Sequence, residues 1–153
     1  MRAFILSLGL ALACGCASAP LIQEPVPAGQ VIYLADGQEV RMEEWLRDHP
    51  LDPGQEVALY DLSRSESSST HIVQIRQAEA LHMHERHDLV AVLQKGRGVL
   101  RMGSRELRLS PGSVAVIPRG TPHSFVNETS EPAAAFVVFS PPFDGEDTVP
   151  IAE

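Results

Sequence analysis

Beyond Cys16 the chain has no cysteine; its two, Cys14 and Cys16, both stand near the N-terminus. The part expected to fold therefore has no disulfide framework. Basic residues are scarce as well, with 12 Lys and Arg against 20 Asp and Glu and a net charge of −8. Nucleic acid is excluded as a partner by that balance, because phosphate binding needs a basic surplus on the contacting face. The apolar run 3–13 is too short to span a bilayer as a permanent helix. Long uninterrupted segments are also lacking: 12 prolines and 11 glycines punctuate the chain, which suits short strands and turns better than long helices. What is present is a 44% hydrophobic share over 153 residues, enough for one domain with a real core and too much for global disorder. Six histidines complete the inventory.

Arg2, the apolar run 3–13 and the small residues that follow have the parts of a secretory signal. A cysteine after Ala11-Leu12-Ala13, or after Ala13-Cys14-Gly15, resembles a bacterial lipoprotein processing site, where the cysteine becomes the lipidated first residue. Ala11 stands where leucine is usual, so the choice between Cys14 and Cys16 stays open, with a plain cleaved signal peptide as the alternative. The resemblance implies a signal at 1–16, export to the bacterial envelope on the periplasmic side, and a membrane partner reached through the lipid. Residues 17–30, with three prolines, are expected as a flexible tether. A single folded domain is expected over 31–143, and an acidic, loosely held tail over 144–153.

Within the domain, residues 42–47 are the one short helical candidate, closed by His49-Pro50, with Trp45 and Leu46 docking on the body. Short apolar stretches follow at 57–62, 71–75, 88–93, 98–102, 106–109, 113–117, 124–126 and 133–140, with turns at Asp52-Pro53-Gly54, 102–105 and 109–112. Residues 63–70 are expected as a polar loop or exposed edge. Many short strands at near-regular spacing predict an all-β sandwich or barrel. Arg97, Arg101, Arg105 and Arg108 alternate with apolar residues and are expected on a solvated face.

Four histidines fall in two short segments. In a strand, His82 and His84 project to one side, and two imidazoles on one sheet face can share an ion. His123 follows a turn stiffened by Pro118, Gly120 and Pro122. Strand parity puts His87 on the opposite face unless a bulge turns it inward. His49 and His71 have no such context and are expected at the surface. Val90 and Val92 share parity with the first pair, and Phe125 with His123, so an apolar cavity is expected around the histidines, as a small-molecule site requires.

These segments resemble the two motifs of the cupin superfamily. Gly112, Pro118, Gly120, His123 and Asn127 fill the second motif completely. His82, His84 and, roughly, Gly96 match the first, with Arg76 in place of the leading glycine and Asp88 in place of a glutamate. The resemblance implies a small double-stranded β-helix, or jelly-roll barrel, with one short N-terminal helix. It implies one divalent transition metal (Fe, Mn, Ni, Cu or Zn) on His82, His84, His123 and Asp88, with Asp88 as ligand or as a group acting through water, and His87 as its competitor. It further implies pairing into a homodimer.

Other motifs fail. His84-Glu85-Arg86-His87 is one residue short of the zinc-protease pattern, and no nucleophile elbow or phosphate-binding glycine loop occurs. The expected function is a metal-dependent dioxygenase or isomerase acting on a small oxygenated molecule, with Glu85 or His87 moving protons at the rim. A non-enzymatic binding module and a structural domain without chemistry are the alternatives.

Overall fold

A computed structural model describes residues 30–34 and 36–152. The expected signal, both cysteines and all of the tether but Gln30 lie outside the described residues. Among the described residues no helix is long and apolar enough to cross a membrane.

The elements are β1 (Val31–Tyr33), β2 (Glu39–Arg41), α1 (Met42–Asp48), β3 (Val57–Arg64), β4 (Ser69–Ile75), β5 (His82–Met83), β6 (Asp88–Lys95), β7 (Gly98–Met102), β8 (Arg105–Leu109), β9 (Val114–Ile117), β10 (His123–Asn127), β11 (Ala133–Ser140) and β12 (Val149–Pro150). Two five-stranded sheets carry the domain, in the orders β3-β4-β11-β6-β9 and β12-β5-β10-β7-β8, and β1 and β2 form a separate hairpin. All pairings are antiparallel. This is the double-stranded β-helix expected. The two sheets remain separate ladders, so the expected barrel is not closed by hydrogen bonds.

Strand alternation builds the interior. On β11, Ala133, Ala135, Val137 and Phe139 turn inward and join Leu89, Leu93, Leu100, Ile117, Phe125 and Phe143 in the main core. Burying each phenylalanine stabilises the fold by about 1.5–3 kcal/mol. Ala134 points the other way, into a smaller cluster with Val40, Met42 and Ile72, against which Trp45 and Leu46 pack. The helix thus docks on the outer face of the sheet as its residues suggested. Its end is capped by His49, whose backbone N–H and Nδ1 both reach the Trp45 carbonyl. Residues 65–68 make the β3–β4 hairpin turn, held by the Ser65 hydroxyl, which accepts from the N–H groups of Ser67 and Ser68.

Two glycines answer to geometry. Gly96 closes the β6–β7 turn at φ +86°, and a Cβ there would sit 3.0 Å from the Ala133 backbone. Gly98 lies where a Cβ would collide with the Val126 carbonyl.

Two expectations fail. The segment after Phe143 is no loose tail: β12 pairs with β5, Ile151 N–H donates to the Leu81 carbonyl, and Asp147 is 3% exposed. His71 is no surface residue but 1% exposed, because β4 is covered on both faces, by the core and by the α1 layer. Its Nε2 lies 2.7 Å from Ser69 Oγ, and its Nδ1 is 2.7 Å from the Asp61 carboxylate, though without hydrogen-bond alignment. Burial lowers the His71 pKa, against Asp61, which raises it. Asp61, His71 and Ser69 are in the order of a hydrolase triad, but Ser69 is 1% exposed and its hydroxyl accepts the Phe143 N–H. This group is a structural tie between the β3–β4 hairpin and residue 143.

Candidate metal centre

His82 lies on β5 and His123 opens β10, and the two are direct partners across the ladder. His84 follows β5 by one residue. Ring centroids are 4.3 Å apart for His82 and His123, 5.1 Å for His82 and His84, and 5.3 Å for His84 and His123. One ring nitrogen of each lies within 4.8 Å of the others. All three side chains are buried or nearly so, at 9%, 5% and 2% exposed.

The tautomers follow from the partners. The Nδ1 of His82 is 2.9 Å from the Ala80 carbonyl, and that of His123 is 2.9 Å from the Thr121 carbonyl. The Nδ1 of His84 meets the Asp147 carbonyl. A carbonyl only accepts, so each Nδ1 carries the proton and each Nε2 keeps its lone pair. Metal-bound histidines show this same arrangement, with the second ring nitrogen donating to a carbonyl. Burial also favours the neutral form of His84 and His123. It pushes the His123 pKa down to about 4, against its Thr121 hydrogen bond, and lowers that of His84 against the bond to Asp147. The donor set fits a divalent transition ion held by nitrogen.

Asp88, expected as the fourth ligand, is not brought to this group. Its Oδ2 lies 2.7 Å from the Arg119 guanidinium and its Oδ1 accepts from the Arg119 N–H at 3.0 Å. Those bonds hold its pKa down at about 2. The reason is local: residues 84–87 turn between two different sheets, so the parity set by His82 and His84 does not continue into β6. Leu89, Ala91 and Leu93 point into the cavity in place of the expected Val90 and Val92. Asp88 instead clamps the loop that carries Gly120, whose N–H donates to the His84 carbonyl at 2.6 Å.

His87 is turned inward, at 3% exposed, yet stays outside the histidine group. Its Nδ1 meets the Asp147 carboxylate and its Nε2 lies 3.2 Å from the Pro142 carbonyl. Asp147 also accepts the N–H groups of Glu85 at 3.0 Å and Arg86 at 2.8 Å. Burial by itself would raise the Asp147 pKa, but these bonds outweigh it and hold it at about 2. Phe139 and Phe143, stacked at 4.6 Å, present their faces and edges to both His84 and His87.

The motif positions outside the histidine group are scaffold. The Asn127 amide donates to the carbonyls of Arg76 and Glu131, and its oxygen accepts from the N–H and hydroxyl of Thr129. Arg76, the departure from the motif's glycine, ties its guanidinium to the carbonyls of Leu51, Asp52 and Gln55. Arg97, Arg101, Arg105 and Arg108 are all exposed, as expected.

The histidines open onto a cavity of about 320 Å³ between the sheets. Its walls are overwhelmingly apolar, including Phe125 as expected. Two residues of the surroundings had no sequence signal. Glu79 lines the cavity, placed there by an irregular bridge in which Ala78 pairs with Val126. Asp147 is brought to the histidines by the β12 return.

A double-stranded β-helix with three convergent imidazoles at one end of an apolar cavity defines the class of cupin-fold proteins. Residues 70–139 match the family model described as a cupin domain. An uncharacterized protein of Aquifex aeolicus (strain VF5) is 35% identical over 95 residues, 62% of this chain and 78% of that one. The crystal structure of TT1209 from Thermus thermophilus superposes with a TM-score of 0.56 at 31% identity, over 64% of this chain and 95% of that one. KdgF from Halomonas sp. shares the fold, with a TM-score of 0.56 at 23% identity over 64% and 91% of the two chains. The chain belongs to the cupin superfamily.

Proposed function

We propose that this chain is a divalent-metal-binding cupin of the bacterial envelope that binds or transforms a small oxygenated molecule. The observation that carries the reading is that one ring nitrogen of each of His82, His84 and His123 lies within 4.8 Å of the others, while each Nδ1 meets a backbone carbonyl. A bound ion would supply Lewis acidity toward an oxygen donor of the ligand. The chain's own residues do the rest: the three imidazoles hold the ion, Phe139 and Phe143 fix His84 edge-on, and the apolar walls exclude water. The envelope reading rests on Arg2, the apolar run 3–13 and Cys14 or Cys16. A ligand-binding module without turnover is the second reading; the sparse polar lining of the cavity favours it over a many-step enzyme.

Metal analysis of the purified protein tests the centre, with near-stoichiometric divalent metal expected and none retained or rebound as the contrary result. Oxygen uptake with phenolic and keto-acid substrates then separates enzyme from binder. Labelling of cells with a fatty-acid probe, in the Cys14→Ser and Cys16→Ser variants, tests the anchor: one of the two must lose the label.

A further inference from the structure

The cavity contains one carboxyl among its lining residues, and neither the metal centre nor the scaffold uses it. Glu79 reaches the interior because residues 77–79 run antiparallel beside β10. Asn127 N–H donates to the Gln77 carbonyl at 2.7 Å, Ala78 bridges to Val126, and Glu79 N–H donates to the Phe125 carbonyl at 3.0 Å. That register sets Glu79 next to Phe125, on the face of β10 that looks into the cavity. Among the described residues no Lys, Arg or His forms an ion pair with it.

A carboxyl facing an apolar cavity without a cation costs free energy unless something hydrogen-bonds to it. Burial pushes its pKa up to about 8, with only the Phe125 backbone pulling the other way, so at neutral pH it is largely protonated. In that form it both donates and accepts one hydrogen bond. The apolar walls, Leu89, Leu93, Leu100 and Ile117 among them, offer nothing of the kind. Apart from the histidines and Glu79, Thr148 is the remaining residue of the lining with a polar side chain.

We propose that Glu79 is the polar anchor of the cavity and selects a neutral, mostly apolar ligand carrying a hydroxyl or similar hydrogen-bonding group. This rests on the reading of the cavity as a small-molecule site, and it names the class of molecule admitted. Anionic ligands are disfavoured at the Glu79 position, where the apolar walls offer a negative charge no cation.

Calorimetric titration of the purified full chain with a matched pair of probes, 4-ethylphenol and ethylbenzene, tests the anchor. Wild type should bind the phenol about five- to tenfold more tightly, the effect of one hydrogen bond of ordinary net worth. Glu79→Gln should keep most of that preference, and Glu79→Leu should abolish it while still binding ethylbenzene. An unchanged preference in Glu79→Leu overturns the anchor and leaves the cavity reading standing. Failure of both probes to bind wild type overturns both. Should Glu79→Leu not fold, the ¹³C carboxyl resonance of Glu79 in wild type decides. It must move with 4-ethylphenol and not with ethylbenzene, and a resonance that moves with neither, or equally with both, overturns the anchor.

Discussion

The backbone carbonyl of Asp147 takes the Nδ1–H of His84, 63 residues earlier in the chain, and thereby fixes which nitrogen His84 turns toward the cavity. The same residue's carboxylate ties down the N–H groups of Glu85 and Arg86 and the ring of His87. One residue of the C-terminal return thus holds the whole turn that carries a candidate ligand.

Replacing Asp147 by alanine should therefore weaken the metal site without removing a ligand. Alanine keeps the backbone carbonyl that accepts from His84 and removes only the carboxylate that holds the turn. The loss should reach about 10-fold, the low end for losing a direct outer partner. Competition against a chromogenic chelator measures it, and an affinity within about twofold of wild type would show that the turn holds its shape unaided.

Asp88 and His123 should part company. His123→Ala removes a ring nitrogen from the converging group and should abolish stoichiometric metal binding. Asp88→Ala breaks the pair with Arg119 on the outer side and should leave metal stoichiometry unchanged. Elemental analysis of both variants after dialysis checks the pair; metal loss in Asp88→Ala would restore that carboxylate as a ligand.

Glu79 makes stability depend on pH in a definite sense. Its pKa is raised in the folded chain from 4.5 to about 8, so between those values the native state binds more protons than the unfolded one. Stability contributed through this group is therefore present at low pH and falls as pH rises through that window, levelling off above it. Denaturant unfolding of wild type and Glu79→Gln from pH 5 to pH 9 should show that component in wild type and its loss in the variant.

Gly96→Ala should destabilise the fold by about 1–3 kcal/mol, because an L residue at φ +86° is strained and its Cβ presses on Ala133. Gly112→Ala meets the same strain at φ +89° but open space, and should cost less. Thermal melts of the two variants give the order; equal costs would show that the Ala133 approach relaxes freely.

Much of the site was legible because its residues sit at motif spacings. His82, His84 and His123 come together as the two motifs implied, and Asn127 closes its loop. The eight apolar stretches correspond to β3, β4 and β6 to β11. The short strands β1, β2 and β12 had no signal, being two or three residues long, and β5 showed only as the strand of His82. Val90 and Val92 misled because parity was carried through residues 84–87, where the chain passes from one sheet to the other, and Asp88 because its place in the motif does not fix its direction. His71 misled because a polar residue on a strand covered on both faces leaves no pattern to distinguish it from an exposed one.

What the sequence by itself determined is the strand-rich fold, through alternation and turn residues, and the presence of three imidazoles, through motif spacing. Side-chain direction follows from sequence only inside one continuous strand. Which carboxylates meet those imidazoles or share their cavity depends on pairings between residues far apart in the chain. The tertiary structure alone therefore sent Asp88 outward to Arg119, drew Glu79 into the cavity beside Phe125, and brought Asp147 back to His84.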